Sequence, residues 1–296
     1  MTLIGEISAL ITAVCWSGSS IAFAGATTRV GSVYVNVARL LIAAFVLALI
    51  VLLFGISLSV SSTQLIYLAA SGLIGLVFGD TFLFKSYEYN GARISALIMS
   101  TAPAISAVLA YFFLDELLAF WGIVGIGVTL AGIALVVMGR TEPHSTAARM
   151  SGVGVFYALL GAAGQGGGLI LAKMAFAEST INGIAATLIR IVAAILVLLP
   201  LSRLTGRFKT PIAVFSSDRR AFGLTVLGAI LGPCLGITFS LISIAHTDVA
   251  VAATLMATVP ILMLPLVRII YREELTWRAY SGAFIAVAGV AILFLR

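Results

Sequence analysis

Apolar stretches of about twenty residues, separated by short polar breaks, run the length of the chain. Their length and continuity predict ten helices, over 3–25, 33–54, 64–86, 93–113, 119–139, 152–174, 182–201, 221–244, 249–270 and 276–295. Each is long enough to approach or cross a hydrocarbon layer about 30 Å thick. Helices are the economical form, because an open sheet would leave its edge N–H and C=O groups unpaired in lipid. Two polar breaks stand out. One runs from Arg140 to Ser151 and holds Thr141, Glu142, Pro143 and His144; the other, Ser202 to Arg220, is the longest and most basic.

The pattern occurs twice. From Gly79 onward a constant offset of 157 positions pairs Gly79 with Gly236, Thr81 with Thr238, Phe82 with Phe239, Ser86 with Ser243, Met99 with Met256, Thr101 with Thr258 and Pro103 with Pro260. It continues through Glu116 and Glu273, Gly125 and Gly282, and Gly132 and Gly289. This divides the chain into a first repeat at 1–140, a linker at 141–151 and a second repeat at 152–296. Five crossings per repeat is an odd number, so the second repeat enters the bilayer upside down. The expected fold is an all-α integral membrane protein with ten transmembrane helices as two inverted-topology repeats, an architecture used by alternating-access carriers.

Composition narrows the class. Hydrophobic residues are 61% of the chain and charged ones 9%, with a mean hydropathy of +1.19, against about 25% charged in a soluble domain. Ten spans and their loops use nearly the whole chain, leaving no soluble domain for an enzyme. The net charge of +6 is scattered over membrane loops, so it does not signal nucleic acid. The expected partners are the lipid bilayer and a small-molecule substrate, with the chain a monomer or homodimer. The first span lacks a basic leader and contains Glu6, which reads as a retained helix rather than a cleaved signal. Cys15 and Cys234 fall inside spans as free thiols and leave the redox compartment open. Of the basic loop residues, Lys173 and Arg296 lie on the side of the termini. Arg29, Lys85, Arg93, Arg140, Arg149, Arg203, Arg207, Lys209, Arg219, Arg220, Arg268, Arg272 and Arg278 lie on the other. The positive-inside rule makes that other side cytoplasmic and puts both termini outside a cytoplasmic (inner) membrane.

The tandem segments are Ser95-Ala96-Leu97 through Pro103 to Leu114-Asp115-Glu116, and Ala252-Ala253-Thr254 through Pro260 to Arg272-Glu273-Glu274. Each is followed by a glycine-rich span. Together they resemble the drug/metabolite transporter superfamily, in its ten-helix EamA-like branch, over nearly the whole chain. That resemblance implies a metabolite or drug exporter or exchanger with its site between helices of the two halves. Many members of such families keep both termini inside, opposite to the charge pattern here.

Ionisable residues inside spans cost at least about 2.5–3.5 kcal/mol near the helix centre, so the few present carry information. Arg39 in the second span and Asp80 in the third both sit roughly 7 Å from the midplane at 1.5 Å per residue. They can form an ion pair, either purely structural or acting as a latch or proton-sensitive gate. Arg190 in the seventh span is the repeat partner of Arg39, but Ile237 stands where Asp80 would recur. Arg190 therefore needs carbonyls, water or a substrate carboxylate or phosphate for its five donors, or it snorkels to the surface. Glu6, Glu88, Asp248, Glu116, Glu273 and Glu274 read as helix-end residues. His144 and His246 lack metal-ligand spacing, and no metal or cofactor is expected.

Prolines mark breaks. Pro103, Pro233, Pro260 and Pro265 are the candidate hinges, since a proline frees the carbonyl one turn earlier, either for a substrate or as a simple kink. Gly161 to Gly168, around Gln165, allows close helix contact or a backbone lining. Trp16 is mid-span, where an interfacial belt does not explain it. Ser20, Ser100, Thr238 and Thr254 supply hydroxyls that either face a cavity or bond their own helix. With Arg190, Arg39, Trp16 and Gln165 they make up the candidate substrate-binding set. The first four spans of each half are expected to wall the cavity, with spans five and ten as scaffold. The function expected is transport of a small polar or amphipathic metabolite, an amino-acid-like carboxylate favoured, by alternating access. The alternatives are proton-coupled efflux of cationic drugs, which needs a buried carboxylate open to the cavity, and flipping of a lipid-linked substrate.

Overall fold

The computed structural model describes residues 3–113, 120–138, 151–246, 255–272 and 275–294. Thirteen α-helices are described: α1 Ile4–Val30, α2 Ser32–Phe54, α3 Ser62–Gly72, α4 Asp80–Met99, α5 Ala102–Phe113, α6 Phe120–Met138, α7 Gly152–Glu178, α8 Gly183–Leu204, α9 Pro211–Ser217, α10 Arg219–Ala229, α11 Ile237–His246, α12 Val259–Tyr271 and α13 Trp277–Phe294. A π-helical turn, Leu73–Gly79, joins α3 to α4, and another, Ile230–Gly236, joins α10 to α11. These two turns lie 157 positions apart, the offset already present in the sequence.

Six helical segments are long and apolar enough to cross a membrane: Ile4–Val30, Ser32–Phe54, Ser62–Met99, Gly152–Glu178, Gly183–Leu204 and Arg219–Ser243. Phe120–Leu135, Val259–Tyr271 and Trp277–Ile292 are shorter apolar helices. The third and fourth expected spans are refined rather than simply continuous. Ser62–Met99 turns at Gly91, whose φ of 67° and ψ of −179° suit a residue without Cβ. The fourth span breaks again at Ser100–Thr101 before α5, and the ninth breaks at the equivalent Ala257–Thr258 before α12. Glu116, His144, Asp248, Thr254, Glu273 and Glu274 lie outside the described residues.

Local signals set the ends. Ser61 and Gln64 form a capping box at α3, satisfying orphan N–H groups reciprocally. Asn182 caps α8 through Ile184 N–H at 2.9 Å. Gly55 closes α2 in the left-handed conformation. Glu88 accepts the Ser32 N–H at the start of α2, at 2.6 Å, and holds Lys85 at 2.6 Å.

The halves interlock. The opening helix of each packs on the third span of the other: α7 lies against α3, its π turn and α4, while α1 lies against α10, its π turn and α11. Glycines permit the approach. A Cβ at Gly164 would meet the Gly79 backbone, and one at Gly236 would meet the Trp16 ring. Ser71 Oγ donates to the Gly168 carbonyl at 2.6 Å. Helices α6 and α13 cross as a reciprocal pair. Gly132 abuts Ala286 and Gly282, and Gly289 abuts Thr129 and Gly125, so residue numbers rise along one helix as they fall along the other. Thr129 Oγ1 donates to the Ala286 carbonyl at 3.4 Å, between positions 157 apart. A contact between repeat-equivalent residues is where a two-fold relation closes on itself.

Candidate functional site

The break-containing spans and π turns converge on a cavity of about 270 Å³, near the lower end of the roughly 300–1,000 Å³ range of ligand pockets. Its wall is built from repeat-equivalent positions. From the third and eighth spans come Leu76 with Pro233, Asp80 with Ile237, Leu83 with Ser240 and Phe84 with Leu241. From the fourth and ninth come Met99 with Met256, Ser100 with Ala257, Ala102 with Val259 and Pro103 with Pro260. Trp16, Ser19, Ser20 and Phe23 come from α1, Gln165, Gly166 and Leu169 from α7, and Arg39 and Arg190 from α2 and α8. Among the described residues, none of the lining comes from α6 or α13.

Among the described residues, Asp80 is the one lining carboxylate, and both its oxygens are taken. Oδ2 accepts from Arg39 Nη2 in a buried ion pair, and Oδ1 accepts from Gln165 Nε2 of the second half at 2.6 Å. Arg39 is held further: its Nε donates to Asn36 Oδ1 at 3.0 Å, and Asn36 Nδ2 donates to Thr81 Oγ1 at 3.1 Å. Its guanidinium also stands 4.9 Å from the Phe84 ring and 5.7 Å from Phe23, within cation–π reach. Geometry, charge and packing all fix it in place.

Arg190 has none of this. It is 8% exposed, its Nε is buried without a partner, and no hydrogen bond or ion pair reaches its guanidinium among the described residues. Glycines make room for it. A Cβ at Gly72 would strike the Arg190 carbonyl, and one at Gly75 would crowd its Nη2 at 3.4 Å. Among the described residues, two guanidiniums and one carboxylate give the lining one net positive charge.

The hydroxyls divide. Ser100, Ser240, Ser106 and Ser19 all donate to helix carbonyls, of Leu97, Ile237, Gly166 and Trp16 respectively. Ser20 instead accepts from Tyr87 at 3.1 Å, which leaves its own proton for the cavity. Of the sequence-chosen candidates, Trp16, Ser20, Arg39, Asp80, Ser100, Gln165, Arg190, Pro103, Pro233 and Pro260 line the cavity. Thr238 does not; its Oγ1 is buried without a hydrogen-bond partner among the described residues. Pro265 sits on the exposed face of α12, away from the lining, and Thr254 lies outside the described residues. Met99, Met256, Ser106 and Ser240 were not singled out by the sequence as lining residues. The methionines carried a signal as a repeat pair, whereas neither serine stood apart from the many others in the spans.

A sequence model of the EamA-like transporter family matches residues 3–138 and again 152–295. The chain belongs to the EamA-like transporter family. The double match falls on the two halves whose π turns, breaks and lining residues correspond. No curated protein matches the chain. A solved structure described only as the crystal structure of a protein aligns with a TM-score of 0.67 at 16% identity, over 99% of this chain and 96% of that one; it shares the fold. As a member of this family the chain is a multi-pass membrane transporter of a small molecule.

Proposed function

We propose that this transporter is a ten-span inverted-repeat carrier moving a small carboxylate-bearing metabolite, amino-acid-like in size, across the cytoplasmic membrane by alternating access, as an exporter or exchanger. The observation that carries the reading is Arg190. A buried guanidinium without a partner is costly, and here it borders a cavity with one net positive charge. A substrate carboxylate supplies the missing acceptor in a charge-assisted, bidentate geometry. Trp16, Ser20 and the methionine pair provide the remaining donor and apolar contacts. The reciprocal, antiparallel crossing of α6 and α13 supports the inverted relation, and the excess of Arg and Lys on one side favours termini outside. The alternative of cation efflux through Asp80 is weaker, because both carboxylate oxygens are engaged.

The test is substitution of Arg190 by Gln, with binding and proteoliposome transport of neutral amino acids and other small carboxylates. Affinity is expected to fall by about 2 kcal/mol or more, roughly thirtyfold, while the protein still folds. Unchanged affinity and transport would sink the anion reading.

A further inference from the structure

The register between the halves changes once. Arg39 and Arg190, like Gly31 and Asn182 at the heads of α2 and α8, lie 151 positions apart, whereas positions from the third span onward pair at 157. The step falls in the connection between the second and third spans of each half. Gly55 and Gly206 leave the preceding helix with φ of 61° and 68°. Ser61 and Asp218 then cap the next helix, each accepting the N–H three residues on, at 3.1 and 2.9 Å. Between these matched points stand five residues in the first half, 56–60, and eleven in the second, 207–217. The six extra residues account for the step. The short connection has no charged residue. The long one carries Arg207 and Lys209, with Arg203 before it and Arg219 and Arg220 after it. One half makes this connection without the extra segment, so its presence in the other calls for a separate role.

The insertion is folded against the bundle. Phe208 is buried in the core cluster of α2 and α8. Tyr34 of α2 stands 5.2 Å from the Phe208 ring and 6.5 Å from Phe215, which stands 5.7 Å from Phe222. With Phe208 turned inward, its neighbours Arg207 and Lys209 are exposed, and the Lys209 chain folds back over Gly206, where a Cβ would meet its Cε at 2.8 Å. Helix α9 has no buried residue and presents Ile212, 85% exposed. Leu204 ends one membrane-length helix and Arg219 opens the next, which places the insertion at the level of the lipid headgroups. Among the described residues, none of the five basic side chains makes an ion pair, and the segment's one acid, Asp218, is taken by Arg29.

We propose that the 207–217 insertion is a docking platform for anionic phospholipid, with Arg207 and Lys209 taking the headgroup phosphate and Ile212 entering the acyl boundary. Exposed cations at headgroup level are complementary to a negatively charged leaflet surface. Basic residues beside exposed apolar ones are the make-up of a segment that lies in the membrane interface. Ile212 and Leu204 favour lipid over a soluble polyanion, which offers them no apolar partner. The platform is separate from the cavity and independent of what the cavity carries. Tyr34 and Arg29 of the first half meet Phe208, Phe215 and Asp218 of the second here, so lipid held on the insertion grips the place where the halves join.

The experiment is native mass spectrometry of the purified full-length protein in detergent, titrated with phosphatidylglycerol or with phosphatidylcholine of the same acyl chains. Phosphatidylglycerol is expected to bind roughly tenfold more tightly or better. The double variant Arg207→Gln/Lys209→Gln should bring the two lipids to within about threefold of each other. Each single substitution should give part of that loss, which preserves the comparison if the double variant does not fold. Arg268→Gln/Arg278→Gln removes as much charge from the ends of α12 and α13 and should leave the wild-type preference in place. Equal affinity of the wild type for the two lipids overturns the proposal. So does an equal loss in the second pair, which would mean diffuse attraction rather than a platform. Displacement of phosphatidylglycerol by sn-glycerol 3-phosphate at matching concentration also overturns it, since the insertion would then read a free phosphate and not a lipid.

Discussion

Arg39 and Arg190 occupy matching places in the two halves, yet their surroundings differ at every level. Arg39 meets Asp80, Asn36 and two aromatic faces; Arg190 meets glycine and an open cavity. The backbones around them correspond down to the π turns, so the difference lies in a few side chains. Ile237 replaces the acid, Leu241 replaces Phe84 and Ser240 replaces Leu83. One arginine of the duplicated scaffold is thus held by an ion pair, while the other has no hydrogen bond or ion pair among the described residues. Matching backbone geometry supplies the symmetry, and the broken side-chain symmetry supplies the chemistry.

That contrast can be broken from either side. The largest effect is expected from Asp80→Asn, which leaves the buried Arg39 charge uncompensated. Stability should fall by about 3–5 kcal/mol, read as a lower unfolding midpoint in detergent. A far smaller loss for Arg190→Gln in the same assay sharpens the comparison, and equal losses would erase it. Next is Ile237→Asp, which gives the second half the acid that the first half has. The new carboxylate should pair with Arg190 and lower carboxylate affinity by about tenfold or more, which is roughly 1.4 kcal/mol, in direct binding measurements. Undiminished affinity would mean that Arg190 is not the anion's partner.

Symmetric substitutions probe the scaffold. Gly132→Ala and Gly289→Ala place a methyl at equivalent points of the α6–α13 crossing, so each should cost about 1–3 kcal/mol from overpacking. Thermal unfolding should rank the two variants close together, and a large disparity would argue against a two-fold crossing. The smallest effect concerns the membrane surface. Asp218 is held below the usual carboxylate range by the Ala221 N–H at 2.9 Å and by Arg29 at 2.7 Å. Its contribution is therefore present above its ordinary pKa and disappears as pH falls through the lowered value. The stability difference between wild type and Asp218→Asn should narrow on acidification below pH 4, and a constant gap would contradict this. Because this contact ties α1 to α10, it also samples how firmly the halves hold together on that side.

The sequence by itself determined the all-helical membrane class, the two repeats with their offset, and the presence of three charged side chains deep in the spans. These follow from chemistry that every position expresses independently: apolar length, the cost of burying charge, and a constant register. Pro103 and Pro260 announced where backbone bonds would fail, because a missing N–H is a local fact. Only the tertiary structure decided which hydroxyls were spent on helix carbonyls, that Gln165 crosses between halves to occupy Asp80, and that Thr238 and Pro265 stand off the cavity. It also decided that Arg190 ends without a hydrogen bond or ion pair among the described residues. Those outcomes depend on which faces meet when helices pack, and the partner can lie far along the chain, 85 positions away for Gln165 and Asp80. The π turns belong to the same class. They shift the facing of everything beyond them by a fraction of a turn; Pro233 marked Ile230–Gly236 as a break, but Leu73–Gly79 carries no residue that distinguishes a π turn from ordinary helix.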